Sequence, residues 1–297
     1  MSISIIIPFY NESKNIPLLL NELHKVMESN HKEYEVILIN DGSEQVSDIS
    51  TAQLKNVRLF RHKKRLGKGE ALRTGVANVK GDAVFFMDGD LQDDPHDIPV
   101  FLAKMEEGYD IVNGVRGKRK EHFLLKLYSK IANFVLHQFL HSPFTDINCG
   151  FKLFKREVLE EIPLYGNNFC FLPLAGYYRG YSVSEVPVNN RKRIHGVSKF
   201  GPGKIFVGLL DMLSAYFIFQ FAERPLQFFG VIGGVLFSVG FFISLYLTIE
   251  RVFFNQLLYR RPLLQFGILL IVIGIQIGMT GLMGELIVYQ GKKKSAK

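Results

Sequence analysis

Two long apolar runs near the C-terminal end constrain this chain more than any other feature. The first extends from Pro225 to Ile249 and the second from Pro262 to Gly284, and neither contains a charged residue. Each run is longer than the roughly 20 residues that an α-helix needs to cross a bilayer. The sequence therefore predicts two transmembrane helices, at 225–249 and 262–284 within a membrane segment 225–291, behind a separate N-terminal domain.

Glycines and charges around these runs predict how the two helices pack and how they are oriented. Each run contains a Gly-x-x-x-Gly spacing, which favours close helix packing; the pairs are Gly230/Gly234 and Gly274/Gly278. A basic tail, 292–297, carries four lysines, whereas three arginines lie between the runs. Because basic residues favour the cytoplasmic side, we expect a multi-pass plasma-membrane protein whose termini and N-terminal domain are cytoplasmic.

The first 115 or so residues alternate between apolar runs and amphipathic segments. This alternation predicts an α/β fold of the Rossmann-like type, with a mainly parallel sheet and helices on both faces. The candidate strands are Ser2–Ile7, Tyr34–Ile39, Val57–Phe60, Ala83–Met87 and Asp110–Asn113, and a further strand is expected at Val183–Val188.

Polar loops follow three of these strands, at residues 8–12, 40–43 and 88–92. Ligands of such sheets bind at the carboxyl ends of the strands, so the loops are expected to form one crevice. If the backbone stays extended, Asp88, Asp90 and Gln92 share one face. Their oxygens suit Mg²⁺ or Mn²⁺. An ordinary acidic turn remains the alternative interpretation.

Other residues of the crevice indicate an anionic ligand that contains a base. Asp41 can accept hydrogen bonds from a base, and Tyr10 can pack beside one. Lys68 stands between two glycines at the start of a predicted helix, where free N–H groups attract anions. The net charge of +8 also favours an anionic partner. Each of these residues can equally be a turn residue or part of a solvated basic run.

The middle of the chain adds basic segments that could contact lipid or phosphate. The segment 117–120 contains three basic residues and precedes an amphipathic helix predicted at 121–141, which either lies in a membrane interface or covers the sheet. A second basic loop contains Arg193, Ser198 and Lys199, which suit a phosphate group, although an exposed loop is the simpler interpretation. The predicted domain therefore spans 1–200, and an interfacial helix spans 201–224.

Taken together, the motifs closely resemble the polyprenyl-phosphate glycosyltransferases, GT-A enzymes that include dolichol-phosphate mannose synthases and bactoprenol-phosphate glucosyltransferases. The resemblance covers nearly the whole chain. It rests on the segments 8–12, 40–43, 67–69, 88–92, 146–151 and 193–199. Three positions depart from the family pattern: Gly89 replaces Ala, Asn40 replaces Asp, and Cys170 stands where Arg is common. The change at Cys170 concerns the donor sugar or lipid more than the reaction.

The resemblance implies an inverting, metal-dependent transfer of a sugar from a UDP- or GDP-sugar to undecaprenyl or dolichyl phosphate, serving cell-envelope polysaccharide or glycoconjugate modification. Four groups of candidate residues follow from the resemblance and from the chemistry of this reaction. Asp146, Asp90 and Arg193 are candidates for catalysis, although Asp146 can also be a turn or cap residue, and Asp88, Asp90 and Gln92 are expected to hold Mg²⁺ or Mn²⁺. The nucleotide sugar is bound by Pro8, Tyr10, Glu12, Asp41, Lys68 and Asp88. The lipid phosphate is bound by Arg116, Arg119, Arg193, Ser198 and Lys199.

Alternative functions are a processive polysaccharide synthase and a non-catalytic membrane scaffold. The synthases use a Gln-x-x-Arg-Trp motif, and this chain has no tryptophan. A scaffold would not need the acidic ligands, which are present. Two cysteines without metal spacing argue against zinc, and no recognised module supports a nucleic-acid partner. The expected partners are therefore a nucleotide sugar, a polyprenyl phosphate, the membrane and further copies of the chain, with a tetramer as one candidate.

Overall fold

The structure is a computed structural model, and it divides the chain into two compact units. The units are Met1–Met212 and Leu213–Lys297, and each is described by itself. The described residues are 1–30, 32–44, 56–117, 142–162, 164, 166, 168–191, 224–254 and 262–295, together with 213–214, 217–218 and 221. The predicted helix at 121–141, the loop at 192–199 and most of the segment 201–224 lie outside these residues.

The first unit is built on a seven-stranded sheet. Its strands are β1 (Ile3–Phe9), β2 (Tyr34–Asn40), β3 (Val57–Arg61), β4 (Ala83–Phe86), β5 (Ile111–Arg116), β6 (Lys152–Lys155) and β7 (Val183–Val188). They lie in the order β3-β2-β1-β4-β6-β5-β7. Pairing is parallel except where β6 lies antiparallel between β4 and β5. The predicted α/β fold is confirmed, but sequence analysis missed β6, a four-residue strand without clear periodicity.

Helices in this unit follow the strands and cover the sheet. They are α1 (Ile16–Ser29), α2 (Lys68–Val76), α3 (Ile98–Glu106), α4 (Arg156–Glu161) and α5 (Leu172–Tyr178). Helix α1 buries a stripe that includes Ile16, Leu19 and Leu23.

Aromatic side chains join the central strands to α3. The ring centroid of Phe85 lies 5.6 Å from those of Phe101 and Phe151, and the latter two lie 4.6 Å apart. All three residues are fully buried, and such aromatic pairs stabilise a core beyond their buried area. This core fixes the end of β4, from which the acidic loop 88–92 begins.

The second unit contains two long helices, α6 (Pro225–Phe254) and α7 (Pro262–Ser295). The segments Pro225–Phe253 and Pro262–Lys293 are long and apolar enough to cross a membrane. Many of their large apolar side chains, including Phe242 and Ile287, are exposed. Apolar surface of this kind is what a lipid environment would cover.

Glycines bring α6 and α7 into close contact, although in α6 they are not the predicted pair. A methyl group on Gly233 would lie 2.5 Å from the carbonyl oxygen of Gly274, and one on Gly240 would lie 2.5 Å from that of Gly267. A methyl group on Gly234 would meet no atom within 4 Å. The prediction for α6 was wrong because the turn of the helix places Gly233, and not Gly234, toward α7.

Candidate active site

The predicted crevice lies where β1, β2 and β4 end. Phe9 and Asn40, the last residues of β1 and β2, pair with each other, and β4 on the other side of β1 ends at Phe86. The loops after β1 and β2 are tied together, because the Asn11 N–H donates to Ser43 Oγ over 2.9 Å. Asn11 takes a left-handed φ of 56°. The three polar loops therefore meet at one edge, as expected for parallel strands.

Three residues predicted to bind the nucleotide lie at the end of β1 and in the loop that follows it. Pro8 is buried in β1 itself. Glu12 accepts a hydrogen bond of 2.7 Å from Asn15 Nδ2, immediately before α1. Tyr10 is half-buried, and the guanidinium carbon of Arg65 lies 4.5 Å from the centroid of its ring. Tyr10 thus offers an aromatic surface beside a cation, whereas Pro8 belongs to the strand and Glu12 shapes the loop.

Asp41 holds the segment that leads into α2. Its carboxylate accepts hydrogen bonds from the N–H groups of Leu66, over 2.8 Å, and Gly67, over 2.9 Å. Nδ1 of His62 lies 2.9 Å from the same carboxylate, and Nε2 of His62 lies 3.0 Å from Thr74 Oγ1. Asp41 is almost fully buried. Its position therefore sets the path of the basic loop, and contact with a base stays a prediction.

Lys68, the first residue of α2, reaches the acidic loop. Its Nζ lies 2.5 Å from Asp88 Oδ1 and 5.0 Å from the centroid of the Phe169 ring. Burial alone would lower the pKa of Lys68, but the charge and hydrogen bond of Asp88 outweigh it and raise that pKa. A methyl group on Gly150 would lie 2.7 Å from Asp88 Oδ2 and 3.3 Å from Lys68 Nζ. A side chain at position 150 would therefore displace the Asp88 carboxylate from its present contact with Lys68.

The acidic loop is a turn, not a continued strand. Strand β4 ends at Phe86, and Leu91 has a left-handed φ of 63°. The Gln92 N–H donates to Asp90 Oδ1 over 3.2 Å. Asp93, which sequence analysis missed, is buried and accepts a hydrogen bond of 3.0 Å from the Asp88 N–H. The extended alternation expected for residues 88–92 was wrong, because the chain turns immediately after β4.

The turn nevertheless fits a hard divalent cation. Burial, reinforced by the charges of Asp88 and Asp90, raises the pKa of Asp93 to about 7. A bound cation would relieve this repulsion, and carboxylate oxygens are ligands that Mg²⁺ and Mn²⁺ prefer. Among the described residues, no three acidic, histidine or cysteine side chains already converge on one point. Such sites usually complete their ligands with water and substrate phosphates.

A second acidic group lies at the end of β5. The guanidinium of Arg116 donates two hydrogen bonds to Asp146, from Nε over 2.8 Å and from Nη2 over 2.9 Å. Burial alone would raise the pKa of Asp146, but the hydrogen bonds and charge of Arg116 outweigh it and lower that pKa. The structure thus brings together two residues that sequence analysis assigned to different tasks. Asp146 is an ionised carboxylate near neutral pH.

The segment after β7 is fastened to the acidic loop, which the sequence did not indicate. The Arg191 N–H donates to the Gln92 carbonyl over 2.8 Å. The guanidinium of Arg191 bonds to Asp94 over 2.5 Å and to Glu22 over 2.6 Å. Asn189 adds two hydrogen bonds to the Asp97 carboxylate, of 2.7 and 2.8 Å. The chain therefore enters the basic loop 192–199 from a fixed position beside Gln92.

Four residues predicted to bind lipid phosphate, Arg119, Arg193, Ser198 and Lys199, lie outside the described residues. Their role stays a prediction. Of that group, only Arg116 is described.

Solved structures support the fold. The chain is similar to glucosyl-3-phosphoglycerate synthase of Mycobacterium tuberculosis, whose structure contains Mn²⁺, UDP-glucose and phosphoglyceric acid. The TM-score is 0.56 at 19% identity, covering 72% of this chain and 79% of the other. Mannosyl-3-phosphoglycerate synthase of Rubrobacter xylanophilus matches with a TM-score of 0.58 at 15% identity, covering 73% of each chain. Over nearly three quarters of its length the chain thus has the fold of these two synthases, as the resemblance implied.

Sequence comparisons give the family. The chain is similar to the dodecaprenyl-phosphate galacturonate synthase of Rhizobium johnstonii, with 29% identity over 296 residues, which is 97% of this chain and 88% of the other. The resemblance to polyprenyl-phosphate glycosyltransferases is therefore confirmed. Residues 4–163, more than half of the chain, match the model of glycosyl transferase family 2. The protein is accordingly a glycosyltransferase that belongs to glycosyl transferase family 2.

Proposed function

We propose that this glycosyltransferase moves a sugar from a UDP- or GDP-sugar to a polyprenyl phosphate, with Mg²⁺ or Mn²⁺ and with inversion at the anomeric carbon. The observation that carries the proposal is the extent of the similarity to dodecaprenyl-phosphate galacturonate synthase. It covers 97% of this chain and so includes the apolar helices as well as the family domain. A polyprenyl tail stays in the membrane while its phosphate enters the crevice, which explains why both parts occur in one chain.

The donor is assigned to the edge formed by β1, β2 and β4. Asp88, Asp90 and Gln92 would hold the cation, which supplies charge to stabilise the departing diphosphate. Lys68 would bind the diphosphate itself, since its ammonium lies beside Asp88, one of the predicted metal ligands. Tyr10 would pack beside the base. In a solved structure of similar fold, Mn²⁺ and UDP-glucose are bound together.

The acceptor is assigned to the basic groups that follow β5 and β7. A phosphate monoester is largely ionised near neutral pH, since its second pKa is about 6. It therefore needs positioning more than deprotonation. The ionised Asp146 would orient the acceptor or the sugar together with Arg116, and Arg119, Arg193, Ser198 and Lys199 would bind the phosphate. A single displacement by this phosphate inverts the anomeric carbon.

The membrane arrangement is part of the same proposal. Helices α6 and α7 would form a hairpin across the plasma membrane, with the catalytic unit and both termini in the cytoplasm. The lysines of the tail 292–297 favour that orientation. Copies of the chain would associate into a homo-oligomer, for which a tetramer is one candidate.

A screen of donors and acceptors tests the proposal. The full chain, purified in detergent, is incubated with radiolabelled UDP- or GDP-sugars, Mn²⁺ and either undecaprenyl or dolichyl phosphate. We expect radiolabel in the organic phase for at least one combination, and its loss in EDTA. A processive synthase would instead release polymer into the aqueous phase. A non-catalytic scaffold would transfer no label at all.

A further inference from the structure

A lysine is buried in an interior strand of the sheet, and the proposed reaction does not use it. Lys152, the first residue of β6, is only 1% exposed. Because β6 runs antiparallel to its neighbours, its first residue lies at the edge where the parallel strands end. Burial lowers the pKa of Lys152 to about 8. The titratable groups that influence it come from other segments of the unit: Lys68, Asp146, Cys149 and Cys170.

The hydrogen bonds of Lys152 set the orientation of a buried amide. Its Nζ donates to Asn113 Oδ1 over 2.5 Å and to the carbonyl of Ile147 over 2.9 Å. Both acceptors are neutral oxygens. Because the amide oxygen of Asn113 faces the ammonium, its Nδ2 group faces the other way. Nδ2 donates to the Asp146 carbonyl over 3.0 Å and to Glu185 Oε1 over 3.1 Å.

Glu185 completes the support of the same segment from β7. Its carboxylate accepts hydrogen bonds from the N–H and the hydroxyl of Thr145, of 3.0 and 2.7 Å. The Asp146 N–H contributes a longer contact of 3.4 Å. Main-chain atoms of three consecutive residues, Thr145 to Ile147, are thus held by Lys152, Asn113 and Glu185. The side chain of Asp146 points to Arg116 from this fixed backbone.

We propose that Lys152 is a positioning residue for sugar transfer, acting through Asn113 and the 145–147 backbone to hold the Asp146–Arg116 pair in place. The proposal rests on the proposed function. Removing a charge from water is costly, and neither acceptor of Lys152 is a carboxylate whose charge would offset this cost. The contribution of the ammonium at this position is therefore its hydrogen bonds, which hold the segment from which Asp146 points to Arg116.

The test uses the full chain in detergent and three variants. Lys152→Met removes the ammonium and keeps the length of the side chain. Glu185→Gln weakens the support from the other side without touching the buried charge. Lys155→Met is the matched control, since Lys155 lies at the far end of β6 and pairs with Asp110 over 2.6 Å. The readouts are kcat, KM for the sugar donor, affinity for UDP or GDP with Mn²⁺, and thermal stability.

We expect Lys152→Met to lower kcat at least tenfold while KM for the donor and nucleotide affinity stay within about twofold. Thermal stability should fall in Lys152→Met, because the buried oxygens of Asn113 and Ile147 lose their donor, and Lys155→Met should keep kcat within twofold. Glu185→Gln should lower kcat as well. A double variant that combines Lys152→Met with Glu185→Gln should have a kcat no lower than that of the slower single variant, because both changes act through one segment.

Three results would overturn the proposal. The first is a kcat within twofold of wild type in Lys152→Met. The second is a loss of nucleotide binding together with kcat, since Lys152 would then support the whole domain. The third is a double variant whose kcat falls by the product of the two factors measured in the single variants, since the two residues would then act independently. If Lys152→Met does not fold, an unchanged kcat in Glu185→Gln overturns it. Failure of the proposed function is distinct, because the wild-type protein itself would then transfer no sugar to lipid.

Discussion

Replacing Lys68 by methionine should change the binding of metal and nucleotide in opposite directions. In the structure, Lys68 Nζ lies 2.5 Å from Asp88 Oδ1, so the ammonium occupies the place of a cation beside a predicted metal ligand. Mn²⁺ alone must compete with Lys68 for this carboxylate. A bound diphosphate offers Lys68 another anionic partner and so releases Asp88 for the metal.

The structure sets the size of the expected effects. The side chains of Lys68 and Asp88 are 30% and 36% exposed, so solvent screens their attraction. Exposed ion pairs contribute about 0.2–1 kcal/mol, and we place this short pair near the upper end. Removing it should tighten binding of Mn²⁺ alone about fivefold, since 1.4 kcal/mol is about tenfold. Loss of a charged hydrogen bond to phosphate should weaken nucleotide binding roughly 10- to 150-fold.

Calorimetry on the purified protein measures both effects. Mn²⁺ is titrated alone, and UDP or GDP is titrated in the presence of Mn²⁺. Lys63→Met serves as the control, since Lys63 is exposed in the same basic loop and its replacement removes the same charge. The control should match wild type within about twofold. Binding of Mn²⁺ alone that is unchanged or weaker in Lys68→Met would refute the competition between the lysine and the metal.

Three further predictions follow from the same description. Asp90→Asn should abolish transfer without lowering thermal stability, and full activity of this variant in a transfer assay would contradict its role at the metal. Gly233→Leu should lower the melting temperature in detergent, because its side chain would meet α7 within 2.5 Å; Gly234→Leu, its control, should not, and equal effects would contradict the packing of α6 and α7. In cells with single cysteines, position 256 should react with an impermeant label while position 296 stays protected, and the reverse would invalidate the proposed orientation.

Local sequence patterns predicted much of the fold, because buried parallel strands and amphipathic helices have characteristic periodicities. Strand β6 was missed because four residues, two of them lysines, give no such pattern. Its position between β4 and β5 depends on contacts with residues distant in sequence. The same limit applies to Gly233, since only the paired helices reveal which glycine of α6 faces α7.

The candidate site shows a similar division. The location of residues that follow strands, such as Asp41 and Asp88, was predicted because strand ends meet at one edge of the sheet. Their partners could not be found in this way. The contacts of Lys68 with Asp88 and of Arg116 with Asp146 join residues 20 and 30 positions apart, across separate elements. The burial of Lys152 could not be predicted from the sequence, since lysine is rarely found in a protein core.

The most direct test of the proposed reaction is mass spectrometry of the lipid product. The purified chain is incubated with Mn²⁺, undecaprenyl phosphate and the donor found by the screen, and the organic extract is analysed beside that of Asp90→Asn. The proposed function predicts a new species heavier than the acceptor by one anhydrosugar, formed by wild type and absent from the variant. An extract that contains only unmodified polyprenyl phosphate, while the donor is hydrolysed or its sugar is found on another acceptor, would contradict it.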